Sequence, residues 1–188
     1  IQIQSIEMTK QFTTNMYFAL IGGFIVSFPF TFYQIWSFIK PGLKTKEVKA
    51  TRWIVFNASF LFFLGVLFGY YLISPLCVQF FGGYKLTDEI QNNFTISSYM
   101  SMITTSTFLT GIFFELPVIM YLLAKIGILG SAILKKYRRH SLVVILILSA
   151  IITPPDVVSQ LLVTIPVYSL YEIGVIVVKR VEKRNKAS

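Results

Sequence analysis

From Phe12 to Ile39 the chain carries no charged side chain, and that run does most to limit what it can fold into. A helix rises about 1.5 Å per residue and the hydrocarbon core of a bilayer is about 30 Å thick, so about twenty predominantly apolar residues cross it. Inside hydrocarbon every backbone N–H and C=O must be satisfied within the segment, which makes such a run a helix. Gly22, Gly23 and Pro29 give it places to bend or tilt. The same criterion selects 53–75 and 96–124. In the former, Gly65 and Gly69 form a GxxxG pair that either brings another helix close or is simply tolerated in lipid. Two further stretches, 138–155 and 157–178, meet at Pro154-Pro155, where proline stops the first and Asp156 can N-cap the second. The expected fold is all-α: one polytopic transmembrane domain over 1–188 with spans at about 12–39, 53–75, 96–124, 138–155 and 157–178.

The final hairpin is expected to be short. Ser141 to Thr153 spans about 20 Å as a helix and Val157 to Tyr171 only slightly more. Either the bilayer thins around it, leaving a depressed outer rim at Gln160, or residues 137–140 extend the first arm and restore most of the length.

Charge sets the expected orientation. The 17 Lys and Arg residues and net charge of +9 fall into clusters between apolar runs: Lys40, Lys44, Lys46, Lys49 and Arg52; then Lys125, Lys135, Lys136, Arg138 and Arg139; then Lys179, Arg180, Lys183, Arg184 and Lys186. The connection before residue 96 carries only Lys85, and the turn at Pro154 carries no basic residue. Positive charge is retained on the cytoplasmic side, which places the three clusters and the C-terminus inside. Ile1 then lies outside, and one further helix before it would give six spans with both ends in the cytoplasm. Clusters interrupted by lipid-facing helices do not form the continuous basic face that nucleic acid needs.

Four polar features need explaining. Glu115, in GIFFELPVIM, lies deep in the third span, where an acid costs about 2.5–3.5 kcal/mol; Pro117 frees a carbonyl nearby. A functional polar cavity competes there with a hydrogen-bonded structural acid. Asp156 and Gln160 share a helix face four residues apart, Asp156 as a cap and Gln160 as a buried amide seeking a partner. Glu47 is the one acid in the basic loop PGLKTKEVKATR, in isolation a solvated carboxylate. Catalysis has no support: His140 is the single histidine, Cys77 the single cysteine, and GxSxG, HExxH and a phosphate-binding GxxxxGK[ST] are absent. No metal site, cofactor or enzyme activity is expected.

Several strings resemble one family: YQIWSFIKPGLKTKE, FGYYLISP, FELPVIMYLLAKIGI and ITPPDVVSQLLVTIPVYSLYEIGV. They are similar, in order and over nearly the whole chain, to TatC, the core receptor subunit of the twin-arginine protein translocase. The resemblance implies a receptor in the bacterial inner membrane that binds Arg-Arg signal peptides of folded cargo and uses the proton-motive force. It implies recruitment of TatA- and TatB-type single-span partners and assembly with further copies of itself in a receptor complex. By motif position it implies that Glu47 binds signal-peptide arginine, with Phe38, Leu43 and Lys49 in the same site; the family's usual Arg after this Glu is Val48 here. It also implies that Thr153, Asp156 and Gln160 form a docking place for partner helices and that Glu115 is the family's membrane acid. The rival reading from the residues is a secondary transporter or proton channel built on Glu115.

Overall fold

The computed structural model describes residues 3–4, 8–39, 51–83, 94–153 and 157–186. The elements, in chain order, are β1 (Ile3–Gln4), α1 (Met8–Ile39), α2 (Thr51–Phe68), a π-helical turn (Gly69–Ile73), α3 (Ser74–Gly83), β2 (Phe94–Thr95), α4 (Ile96–Phe114), α5 (Leu116–Lys125), α6 (Ser131–Lys136), α7 (Arg138–Ile152) and α8 (Val157–Lys186). The fold is all-α. Its two strands are two-residue segments that pair in parallel, Ile3 with Phe94 and Gln4 with Thr95, tying the approach to α1 to the start of α4.

Among the described residues, four helical stretches are long and apolar enough to cross a membrane: Thr9–Phe38, Trp53–Gly83, Ile96–Lys125 and Val157–Arg184. The fifth expected span is α7, whose 15 residues amount to about 22 Å. Its partner α8 runs 30 residues, beyond the expected end at 178, because Val175, Val178 and Val181 keep one face buried after the apolar stretch gives out. The second span does not stop at Pro75. Pro75 has no N–H to give, and the chain absorbs this by widening one turn, where the Ser74 N–H reaches back five residues to Gly69 O, and then continuing as α3.

Hydroxyl side chains survive in these helices by bonding to their own backbones. Thr31 Oγ1 donates to Ser27 O at 3.2 Å, Thr110 Oγ1 to Ser106 O at 2.6 Å, Thr164 Oγ1 to Gln160 O at 2.8 Å and Ser169 Oγ to Ile165 O at 2.8 Å. Each donor is satisfied without water, which is what an apolar surrounding demands.

Packing centres on two apolar clusters. One joins α1, α2 and α5 through Phe28, Phe32, Trp36, Ala58, Phe62, Val118 and Leu122, with Phe28 stacked on Phe62 at 3.6 Å between ring centroids. The other gathers α3, α5, α7 and α8 around Ile73, Met120, Ile145, Val163 and Tyr171. Gly65 and Gly69 face α4. A Cβ on Gly65 would stand 2.7 Å from Phe114 Cβ, and one on Gly69 2.8 Å from Thr107 Cα; the absent side chains let the two helices approach backbone to backbone.

Candidate functional site

The third long span breaks where its sequence requires. Pro117 cannot donate to the carbonyl one turn back, so α4 ends at Phe114 and α5 starts at Leu116 with Glu115 as the hinge. The Glu115 N–H bonds to Ile112 O at 3.0 Å, and its carbonyl accepts from Val118 N at 3.0 Å and Ile119 N at 2.9 Å, so the backbone is satisfied through the break. The side chain is not. Glu115 is 5 % exposed, and neither carboxyl oxygen has a hydrogen-bond partner among the described residues; the Phe62 backbone on α2 approaches without meeting bonding geometry. Trp36 Nε1 on α1 and Ser59 Oγ on α2 are likewise buried and unpartnered. Polar groups on three neighbouring elements are thus held in reserve around one aromatic cluster, an arrangement that costs stability.

The hairpin of α7 and α8 carries the second set. Thr153, 5 % exposed, caps α7 and donates its hydroxyl to Ser149 O at 2.8 Å. Gln160, half-buried, donates Nε2 to Leu146 O at 3.0 Å across the hairpin. The amide therefore ties the two arms together. Asp156 lies outside the described residues, as do Leu43, Glu47 and Lys49. Phe38 stands in the last turn of α1, 86 % exposed. The structure brings Thr153 and Gln160 to the same end of the hairpin and sets Glu115 and Phe38 in separate regions.

A third set of contacts escaped the sequence reading. Glu172 pairs with Arg138 across the hairpin at 2.5 Å and accepts the Tyr168 hydroxyl at 3.1 Å. Tyr171 OH donates to Leu134 O at 2.8 Å, and Ser131, opening α6, gives Oγ to Glu182 Oε2 at 2.5 Å and N to the same oxygen at 3.3 Å. These contacts clasp α8 to α6 and α7 at the basic end. Glu172, an acid arriving before the apolar stretch of α8 ends, was the available signal.

The chain matches the family model described as "Sec-independent protein translocase protein (TatC)" over residues 1–166. The chain belongs to the TatC family. Its relatives include the TatC protein of Blattabacterium sp. subsp. Periplaneta americana, 39 % identical over 98 % of this chain and 70 % of the relative. The TatC protein of Helicobacter pylori strain J99 is 40 % identical over 86 % of this chain, which spans 65 % of that relative's length. A solved structure described as the twin arginine translocase receptor TatC in DDM superimposes with a TM-score of 0.80 at 31 % identity, covering 95 % of this chain and 80 % of that one. The chain is therefore a membrane protein and a component of the Sec-independent protein translocase. TatC membership sets aside the transporter reading, and TatC is not an enzyme family.

Proposed function

We propose that this chain is the receptor core of a twin-arginine translocase in a bacterial inner membrane, its basic loops and C-terminus cytoplasmic. The observation that carries this is the match along almost its whole length to a solved translocase receptor. Folded cargo docks through an Arg-Arg signal peptide, and the proton-motive force drives export.

Glu47 supplies the carboxylate, because a guanidinium forms two parallel hydrogen bonds with it and partial shielding by lipid strengthens the pair. Phe38, exposed in the last turn of α1, offers an apolar surface to the signal peptide, with Leu43 and Lys49 completing the site. TatA- and TatB-type helices dock at Thr153, Asp156 and Gln160 on the short hairpin, and the unpartnered Glu115 is a further polar point within the bundle. Further copies of the chain join it in the receptor complex.

Photo-crosslinking tests the reading. An Arg-Arg signal peptide carrying a photoreactive residue is expected to label the full-length protein in membranes near position 47, and a Lys-Lys version to label it much less. Equal labelling by the two peptides would overturn it.

A further inference from the structure

At the outer end of the second span lies a cleft of about 480 Å³, lined in part by Tyr70, Tyr71, Ser74, Pro75, Gln79 and Tyr99. It sits on the π-helical turn, and the coincidence has a chemical basis. Pro75 has no N–H, so the carbonyls of Tyr70 and Tyr71, five and four residues before it, receive no bond from that position. The Ser74 N–H and hydroxyl both go to Gly69 O, the hydroxyl at 2.9 Å, and the hydroxyl also lies 3.3 Å from Ser106 Oγ. The helix is thus one backbone donor short beside three tyrosines. Tyr70 and Tyr71 are 53 % and 71 % exposed, with their rings edge to face at 5.1 Å.

Depth narrows the occupant. Tyr70 is 17 residues beyond Trp53, about 26 Å along a helix axis, so with Trp53 at one interface Tyr70 approaches the far side of a hydrocarbon layer about 30 Å thick, and the helix carries the cleft on past it to Gly82. Lipid head groups lie at that level. No charged side chain stands among the described residues lining the cleft. Tyrosine faces attract a cation, and carbonyl and amide oxygens select one that carries N–H donors.

We propose that this cleft binds the primary ammonium of an ethanolamine phospholipid, with Tyr70, Tyr71 and Tyr99 as the aromatic cage and the backbone turn with the Gln79 amide oxygen as acceptors. Its assignment to the outer leaflet rests on the orientation proposed above, whereas the ligand chemistry does not depend on signal-peptide binding.

The test is native mass spectrometry of the full-length protein released from nanodiscs made with equal parts ethanolamine, choline and glycerol phospholipids. The ethanolamine lipid is expected to be retained about fivefold over the glycerol lipid and more than the choline lipid, which has the cation without N–H donors. The Tyr71→Leu/Tyr99→Leu double variant is expected to lose the preference, and Tyr71→Phe/Tyr99→Phe to keep most of it. Equal retention of ethanolamine and glycerol lipids, or choline retention matching ethanolamine, overturns the assignment without recourse to any variant. An unchanged preference in the leucine double variant, or displacement of the lipid by an equal concentration of soluble phosphoethanolamine, overturns it as well.

Discussion

Replacing Glu115 with leucine is expected to make the protein more stable and less useful. Both carboxyl oxygens are buried without partners among the described residues, and an unsatisfied buried polar group costs about 1–3 kcal/mol. Leucine is close in size and joins an environment already containing Phe62, Val118 and Leu122, so the substitution removes the penalty without opening a large cavity. For a chain of this length, each kcal/mol shifts the melting temperature by about 2–4 °C, so a rise of several degrees is the expected reading. Thermal unfolding of the full-length protein in detergent, followed by circular dichroism, measures it. Glu115→Gln retains an amide that also lacks partners, and its midpoint is expected nearer the native one. Export of an Arg-Arg cargo is expected to fall with Glu115→Leu, because a costly acid held at this depth is a functional one. A Glu115→Leu midpoint at or below that of the native protein would show that the carboxyl is satisfied in the fold, and the reasoning would fail.

Three other perturbations follow from the geometry. Gly69→Val is expected to cost about 1–3 kcal/mol because the new side chain meets Thr107 backbone 2.8 Å away; loss of a disulfide engineered between α2 and α4 would report the separation of those helices. Arg138→Glu is expected to lower stability by about 0.2–1 kcal/mol, a small effect because Arg138 is 47 % exposed, and adding Glu172→Arg is expected to restore most of it in a double-mutant cycle. Glu47→Gln is expected to abolish or strongly weaken export with membrane insertion unchanged; normal export by this variant and by Glu47→Ala, measured by cargo fractionation, would remove Glu47 from the proposed site.

The long helices were legible because hydrocarbon allows the backbone few conformations, so the uncharged run from Phe12 to Ile39 already names its structure. Pro117 was read as freeing a carbonyl within one continuous span over 96–124, and the break at Glu115 came from the structure. Helix pairing was less legible. Gly65 and Gly69 fitted either a close approach or tolerance in lipid, and small residues specify a distance and not a partner. Pro75 was read as an end, yet a single wide turn accommodates it and helix continues to Gly83. The reach of α8 depended on valines that find a face on α5 and α6, which no local pattern reports. For the candidate site, Gln160 was read as a buried amide and is half-buried, and its bond to Leu146 O depends on the register of the hairpin. Glu182 meeting Ser131, 51 residues away in sequence, is a purely tertiary fact. Leu43, Glu47, Lys49 and Asp156 lie outside the described residues.

The length of α8 gives the hairpin a mechanical property. A rod of 30 residues is about 45 Å long, so a tilt of about 10° imposed at Val157 carries the far end through about 8 Å. The near end of that rod is where Thr153 and Gln160 sit, and the far end is gripped by Ser131 through Glu182. Leverage of this kind turns a small displacement at one membrane surface into a large one at the other, with α6 as the follower. A fluorophore at position 186 paired with one on α1 would read such a swing directly, giving an optical gauge of events at the short end of the hairpin.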